Sequence, residues 1–157
     1  MKQQDIPVDS SQYPAKGGAY ILELNVREKL LLRVGRLGQF DFEPGRYLYV
    51  GSAYGPGGIT ARVTRHLKPK RRLHWHIDYL STVIGVDRAW GLPGGDECKI
   101  VSILLTDLKT TTPFIGFGSS DCSHCSAHLL LSTPHLVLDR LLCNPVDVFN
   151  VTADSNI

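Results

Sequence analysis

The run Tyr47-Leu48-Tyr49-Val50-Gly51-Ser52-Ala53, the loop Tyr54-Gly55-Pro56-Gly57-Gly58 and the basic stretch Ile59 to Leu67 constrain the fold more than any other part of the chain. Apolar and aromatic residues alternate and stop at a glycine, which reads as a strand. A breaker-rich loop follows, and then Arg62, Arg65 and His66 recur at one-turn spacing, which sets them on one helical surface. Along the strand Tyr47 and Tyr49 share one face, Leu48 and Val50 the other. Along the helix Ile59, Val63 and Leu67 make a narrow apolar stripe for packing on a sheet, so the cations are expected away from it or along its border.

Other elements are legible around this unit. Gly18 to Val26 and Lys29 to Val34, joined across Arg27-Glu28, predict an antiparallel hairpin covered on both faces. Gln39 to Phe42 predicts a short edge strand before Pro44-Gly45. Pro69 stops the first helix, and Leu73, Ile77 and Leu80 begin a second, with Trp75 expected in the core. Val86 to Leu92 predicts a strand, and Asp96 a cap for a buried helix running to Leu108 with Glu97 in its first turn. Leu129 to Leu131 predicts a last strand and Pro134 to Leu142 a short helix.

A length of 157 residues with 43% hydrophobic content suits one core. The expected domain spans residues 17–143, after a loose lead-in at 1–16 and before a fraying tail at 144–157. No run is long and apolar enough for a signal peptide or a membrane helix. Four cysteines are too few for a disulfide framework in a chain this long, so a reducing, cytoplasmic setting is expected.

The net charge is only +2, but the cations cluster. Arg62, Arg65, Lys68, Lys70, Arg71 and Arg72, with His66, His74 and His76, precede any carboxylate until Asp78. Such a local excess follows a phosphate backbone, or else forms a solvated turn. The spacing Cys122-Ser123-His124-Cys125, then His128, matches zinc knuckles; three of these supply ligands, and Cys98 or His124 would be the fourth. The bland alternative is a set of small packed cysteines.

Gly18-Ala19-Tyr20 opening one strand, Tyr49-Val50-Gly51 closing another and an Arg-x-x-Arg-His helix just beyond together resemble the GIY-YIG nuclease family. The segments Tyr49 to Ile59, His74 to Leu80 and Gly116 to Leu129 are similar to one branch, the DUF123 group, found alone or joined to an endonuclease III-like repair enzyme. The likeness covers roughly residues 17 to 132. Ala19 and Val50 stand where the family has isoleucines, and the connection between the tyrosine strands is longer than in its simplest members.

The resemblance implies an α/β fold of the α+β type, with a small, mixed but mainly antiparallel sheet flanked by helices. It implies a magnesium- or manganese-dependent endonuclease hydrolysing DNA, with a DNA-repair enzyme as a partner. Glu97 would hold the metal, with Asp78 and Asp121 as competing carboxylates. Arg62 would neutralise the transition state, and His66 would orient the nucleophile or touch the phosphate. Tyr20 is taken as the base and Tyr49 as the group that positions water or phosphate, while Tyr47 is taken as packing. A phenol with a pKa near ~10 needs cations such as Arg62 and the metal to lower it. Gly51 would let the ligand approach the strand end, and Arg65, Lys68, Lys70, Arg71, Arg72, His74 and His76 would contact nucleic acid. Two other readings compete: a non-catalytic nucleic-acid-binding module, and a zinc-stabilised interaction protein built around residues 98–128. The binding module would need only the basic surface and gives no reason for the tyrosine pair.

Overall fold

The computed structural model describes residues 17–68, 72–120, 122–138 and 148–149. Residues 1–16, Lys70, Arg71, Asp121, Cys143 and the tail apart from 148–149 lie outside the described residues.

The strands are β1 (Gly18–Val26), β2 (Leu30–Val34), β3 (Gly38–Phe42), β4 (Gly45–Ser52), β5 (Arg88–Pro93), β6 (Leu129–Ser132) and β7 (Val148–Phe149). The helices are α1 (Gly58–Leu67), α2 (His76–Ile84) and α3 (Glu97–Leu104). The main sheet runs β6-β4-β1-β5-β7, and β2 with β3 forms a separate two-stranded sheet. Every pairing among the described residues is antiparallel. This is an α+β fold on a mainly antiparallel sheet, as expected.

The expected hairpin between the first two strands does not form. β1 pairs with β4 and β5, and β2 turns away to pair with β3. The leucines of β2 explain the difference. Their burial alternates, with Leu31 60% exposed, so β2 covers the core with one face and cannot serve as an inner strand. β1 is buried along nearly its whole length, as an inner strand must be.

Strand alternation sends the side chains of β1 and β4 into two layers. Tyr20, Leu22, Leu24, Tyr47 and Tyr49 meet Ile59 and Val63 of α1 and Ile77 and Leu80 of α2. Ala19, Ile21, Leu48 and Val50 meet Ile100, Val101 and Leu104 of α3. The sheet therefore lies between α1 and α2 on one side and α3 on the other.

Local chemistry sets the helix ends. Gly57, at φ 81°, precedes α1 in the left-handed region that favours glycine. Lys68 is extended, as the residue before Pro69 must be. Asp96 Oδ1 accepts from the Lys99 amide at 3.1 Å, capping α3 as predicted. α3 stops at Leu104 rather than Leu108, because the Thr106 hydroxyl turns back to Ile103 O and Asp107 Oδ1 takes the Lys109 amide. Leu108 is left exposed. Of the expected helix at 134–142, residues 134–135 form a turn and 139–142 lie outside the described residues. No helix among the described residues is long and apolar enough to cross a membrane.

Candidate active site and metal cluster

The start of β1, the end of β4 and the start of β6 lie at one end of the sheet, since Tyr20 pairs with Gly51 and Tyr49 with Leu129. A cleft of about 290 Å³ opens there. It is lined by Tyr20, Tyr49, Arg62 and Glu97, together with Trp75, Gly118, Cys122 and His128 among others. Tyr20 and Tyr49 reach it from the α1 side of the sheet. Glu97 reaches it from the first turn of α3 on the opposite side. The candidate carboxylate, guanidinium and both phenols thus share one cavity.

A larger cleft of about 510 Å³ lies at the other end of β1, around Glu23, Arg46, Asp87 and Arg88. Its charges are committed to one another. Arg46 donates to buried Glu23 and to Leu136 O, while Asp87 accepts from the Asn25 amide and side chain.

Tyr20 is buried, and its hydroxyl lies 2.8 Å from Nε2 of His66. His66 is 1% exposed, so it does not lie with the cations outside the apolar stripe. It is part of the inner face of α1, beside Ile59 and Val63. The spacing Ile59, Val63, His66 is as helical as the spacing Ile59, Val63, Leu67, and the polar member points inward because Tyr20 and Asp78 receive it. His66 Nδ1 lies 3.7 Å from Asp78 Oδ1.

Asp78 gathers the basic segment. Arg65 donates from Nη1 and Nη2 to its two oxygens at 2.9 Å each, and the amides of His74 and Trp75 donate to Oδ2 at 2.8 Å. Burial alone would raise the Asp78 pKa. Hydrogen bonds from His66, Arg65 and the two amides outweigh that and hold it well below the usual carboxylate range. Asp78 is therefore an internal hub and lies off the cleft lining, which Glu97 joins.

The packing around the cleft revises three expected nucleic-acid contacts. The Arg65 guanidinium is spent on Asp78 and on Arg72 O. His76 Nδ1 accepts from the Gly118 amide at 2.9 Å, fastening the 116–118 loop to α2, and burial lowers its pKa. Gly51 leaves room for protein, not ligand: a Cβ there would stand 2.2 Å from Cζ of Tyr20. Lys68, Arg72 and His74 are exposed. Trp75 is not in the core. It is half-buried, with the guanidinium carbons of Arg62 and Arg65 at 4.5 and 4.2 Å from its ring centre.

The phenols differ from expectation as well. Burial raises the Tyr20 pKa well above its ordinary value, reinforced by Tyr49, and Arg62 offsets only part of this. Burial does the same to Tyr49, helped by Glu97 and Asp78. One partly exposed guanidinium does not outweigh the loss of water around two phenols. Tyr47, with its hydroxyl donating to Glu43 O at 2.8 Å, is packing and is pushed up to about 12, chiefly by burial.

Beside the cleft, Cys98 of α3, Cys122 and Cys125 of the following loop and His128 ahead of β6 bring their ligand atoms within 4.8 Å of one another. This Cys3His set can bind a metal such as zinc. Cys98, not His124, completes it. The amides of His124 and Cys125 point at Cys122 Sγ, 3.4 Å away in each case, and lower its thiol pKa to about 6 against the opposing effect of burial. Burial raises the Cys98 thiol, with the neighbouring cysteines adding to it.

Asp78 as organiser, Trp75 as cleft wall and Gly118 were not singled out in the sequence. Gly118 sits at φ 72°, where a Cβ would stand 2.8 Å from the Tyr49 ring. Signals existed for two of them: an acid at the third position of a helix directly after His74-Trp75, and a second glycine two residues beyond Gly116.

No curated protein and no solved structure matches this chain. A family model described as a domain of unknown function, DUF123, matches residues 19–144, and by that match the chain belongs to the DUF123 family.

Proposed function

We propose that this chain is a magnesium- or manganese-dependent endonuclease of the GIY-YIG type that hydrolyses DNA phosphodiesters. The observation that carries the reading is the convergence of Tyr20, Tyr49, Arg62 and Glu97 on one cleft of about 290 Å³. A binding surface has no use for two buried phenols beside a carboxylate.

Glu97 suits the metal role. Its side chain is 30% exposed, at the start of α3, with open cleft in front of it. One carboxylate is a normal handle for magnesium, which keeps most of its waters and takes phosphate oxygens as further ligands. When bound, the ion supplies charge neutralisation for the phosphate and for the departing oxygen. Arg62, its guanidinium held over Trp75, is positioned to donate to the equatorial phosphate oxygens.

With its raised pKa, Tyr20 is a poor stored phenolate, and the His66 contact provides a route around this. As water gives a proton to the Tyr20 oxygen, Tyr20 passes its own proton to Nε2 of His66, and the hydroxide attacks phosphorus. Asp78 stabilises the resulting imidazolium from the Nδ1 side. Tyr49 lines the same cleft and positions water or phosphate. Lys68, Arg72 and His74 follow the DNA backbone, with Lys70 and Arg71 in the same basic segment. We also propose a reducing, cytoplasmic setting, supported by the three free thiols at 98, 122 and 125, and a DNA-repair enzyme as a partner, by the resemblance alone.

The test is nicking of supercoiled plasmid and of flap and junction substrates with magnesium or manganese. The wild type is expected to nick only with metal, and Glu97→Ala and Arg62→Ala to lose the activity. Equal nicking by all three proteins sinks the assignment. Tight binding without cutting, across metals and substrates, supports the binding module in its place.

A further inference from the structure

We propose that Cys98, Cys122, Cys125 and His128 bind one zinc ion and that His128, as a ligand of that ion, positions Glu97 at the cleft. The second half rests on the nuclease reading above; the first does not.

The geometry of the four ligands comes first. In a tetrahedral site with zinc–sulfur bonds of ~2.3 Å, ligand atoms stand roughly 3.5–3.8 Å apart. Here all four lie within 4.8 Å of one another, and the sulfurs of Cys98 and Cys122 are 3.3 Å apart. Small side-chain rotations close the site around an ion. The Cys122–Cys125 turn is already shaped for it, since the amides of His124 and Cys125 point at the Cys122 sulfur. Amides aimed at a sulfur favour the thiolate, the form that ligates zinc.

The histidine provides a second, independent observation. His128 is 2% exposed, and its Nε2 atom is buried with no hydrogen bond of ordinary geometry among the described residues. A buried ring nitrogen left in that condition is destabilising. The Cys122 thiol is a near neighbour of the His128 ring, so a cation held by Cys122 lies within reach of that ring.

The other ring nitrogen faces the cleft. Nδ1 of His128 lies 3.4 Å from Oε2 of Glu97. A histidine that gives Nε2 to zinc carries its proton on Nδ1 and directs it at a carboxylate, the usual arrangement outside a metal's ligand shell. Here that carboxylate is the proposed magnesium handle. Cys98 follows Glu97 directly in α3, so the zinc grips the helix one residue from Glu97 and steadies its side chain through His128. The imidazole thus joins a structural ion to the reacting one.

The test uses the full chain purified under reducing conditions without chelator. Mass-spectrometric metal analysis is expected to find one zinc per chain in the wild type and none in Cys122→Ser/Cys125→Ser. His128→Cys keeps a four-thiolate site, and so keeps zinc, but loses the imidazole. Manganese binding, followed by electron paramagnetic resonance, is expected to weaken about 10-fold or more in zinc-loaded His128→Cys and in wild type stripped of zinc. A wild type that neither carries zinc nor takes it up from a chromophoric chelator overturns the site, as does iron in its place. Wild-type manganese affinity in zinc-loaded His128→Cys overturns the coupling. Because zinc content and manganese affinity are read without DNA, a protein that binds both ions and cuts nothing overturns only the nuclease reading.

Discussion

The hydroxyl of Tyr20, on the central strand, lies 2.8 Å from Nε2 of His66, on the inner face of α1. The contact joins residues 46 positions apart inside a buried layer where both partners would be costly alone. If the pair moves protons together, its members act as one unit. Tyr20→Phe and His66→Ala should each lower the nicking rate by about 10²–10⁴-fold. The double variant should be scarcely worse than either single one, since residues acting as a unit are non-additive. Single-turnover rates with a fixed nicked product check this, and multiplied losses would separate the two roles.

Gly51→Ala should destabilise the fold and disturb the site together. The added Cβ would stand 2.2 Å from Tyr20 Cζ, and Gly51 is buried. Overpacking of this kind costs about 1–3 kcal/mol. Urea unfolding measures the loss. Tyr20→Ala and Gly51→Ala together should cost less than the sum of the two single losses, because the first removes the ring that the second would strike.

Asp78→Asn should cost about 3 kcal/mol at neutral pH, since it leaves Arg65 without its buried counter-charge. The folded pKa of Asp78 is depressed, so its contribution is complete above the unfolded value of ~3.9 and is lost as pH falls below that. Denaturant midpoints taken from pH 7 to pH 3 should fall for the wild type. The Asn variant should show a smaller fall.

Tyr20, Tyr47 and Tyr49 should ionise late. Their folded pKa values are raised by burial, so their contribution to stability is present below ~10 and is lost as pH rises past the unfolded value. Ultraviolet titration should show these phenols appearing as phenolates together with loss of the near-ultraviolet circular dichroism signal. Ionisation of all three near pH 10 with the fold intact would contradict their burial.

Periodicity and breakers were enough to place β4, α1, β6 and the start of α3, because each has a strong local pattern or a cap. Partner choice was not local. Whether β2 pairs with β1 or β3 depends on which leucines the core can cover, and a three-leucine run carries little alternation to show it. The same limit applied to the site. The residue types of Tyr20, Tyr49, Arg62 and Glu97 were legible, but the inward turn of His66 and the capture of Arg65 depend on Asp78 of another helix. Cys98 joins Cys122 and Cys125 only once α3 is laid against the following loop, so the spacing of the cysteine pair left the fourth ligand open.

β4 finds its outer neighbour, β6, only when residues 129–132 exist. Until a ribosome has released that segment, the nascent chain carries a bare row of amides and carbonyls along β4, a surface that invites pairing with another emerging copy. Translation speed past this point, or a chaperone resting on β4, would then govern how much polypeptide matures and how much clumps. A shortened product ending before residue 129 should collect in inclusion bodies even though both tyrosine strands have already been made.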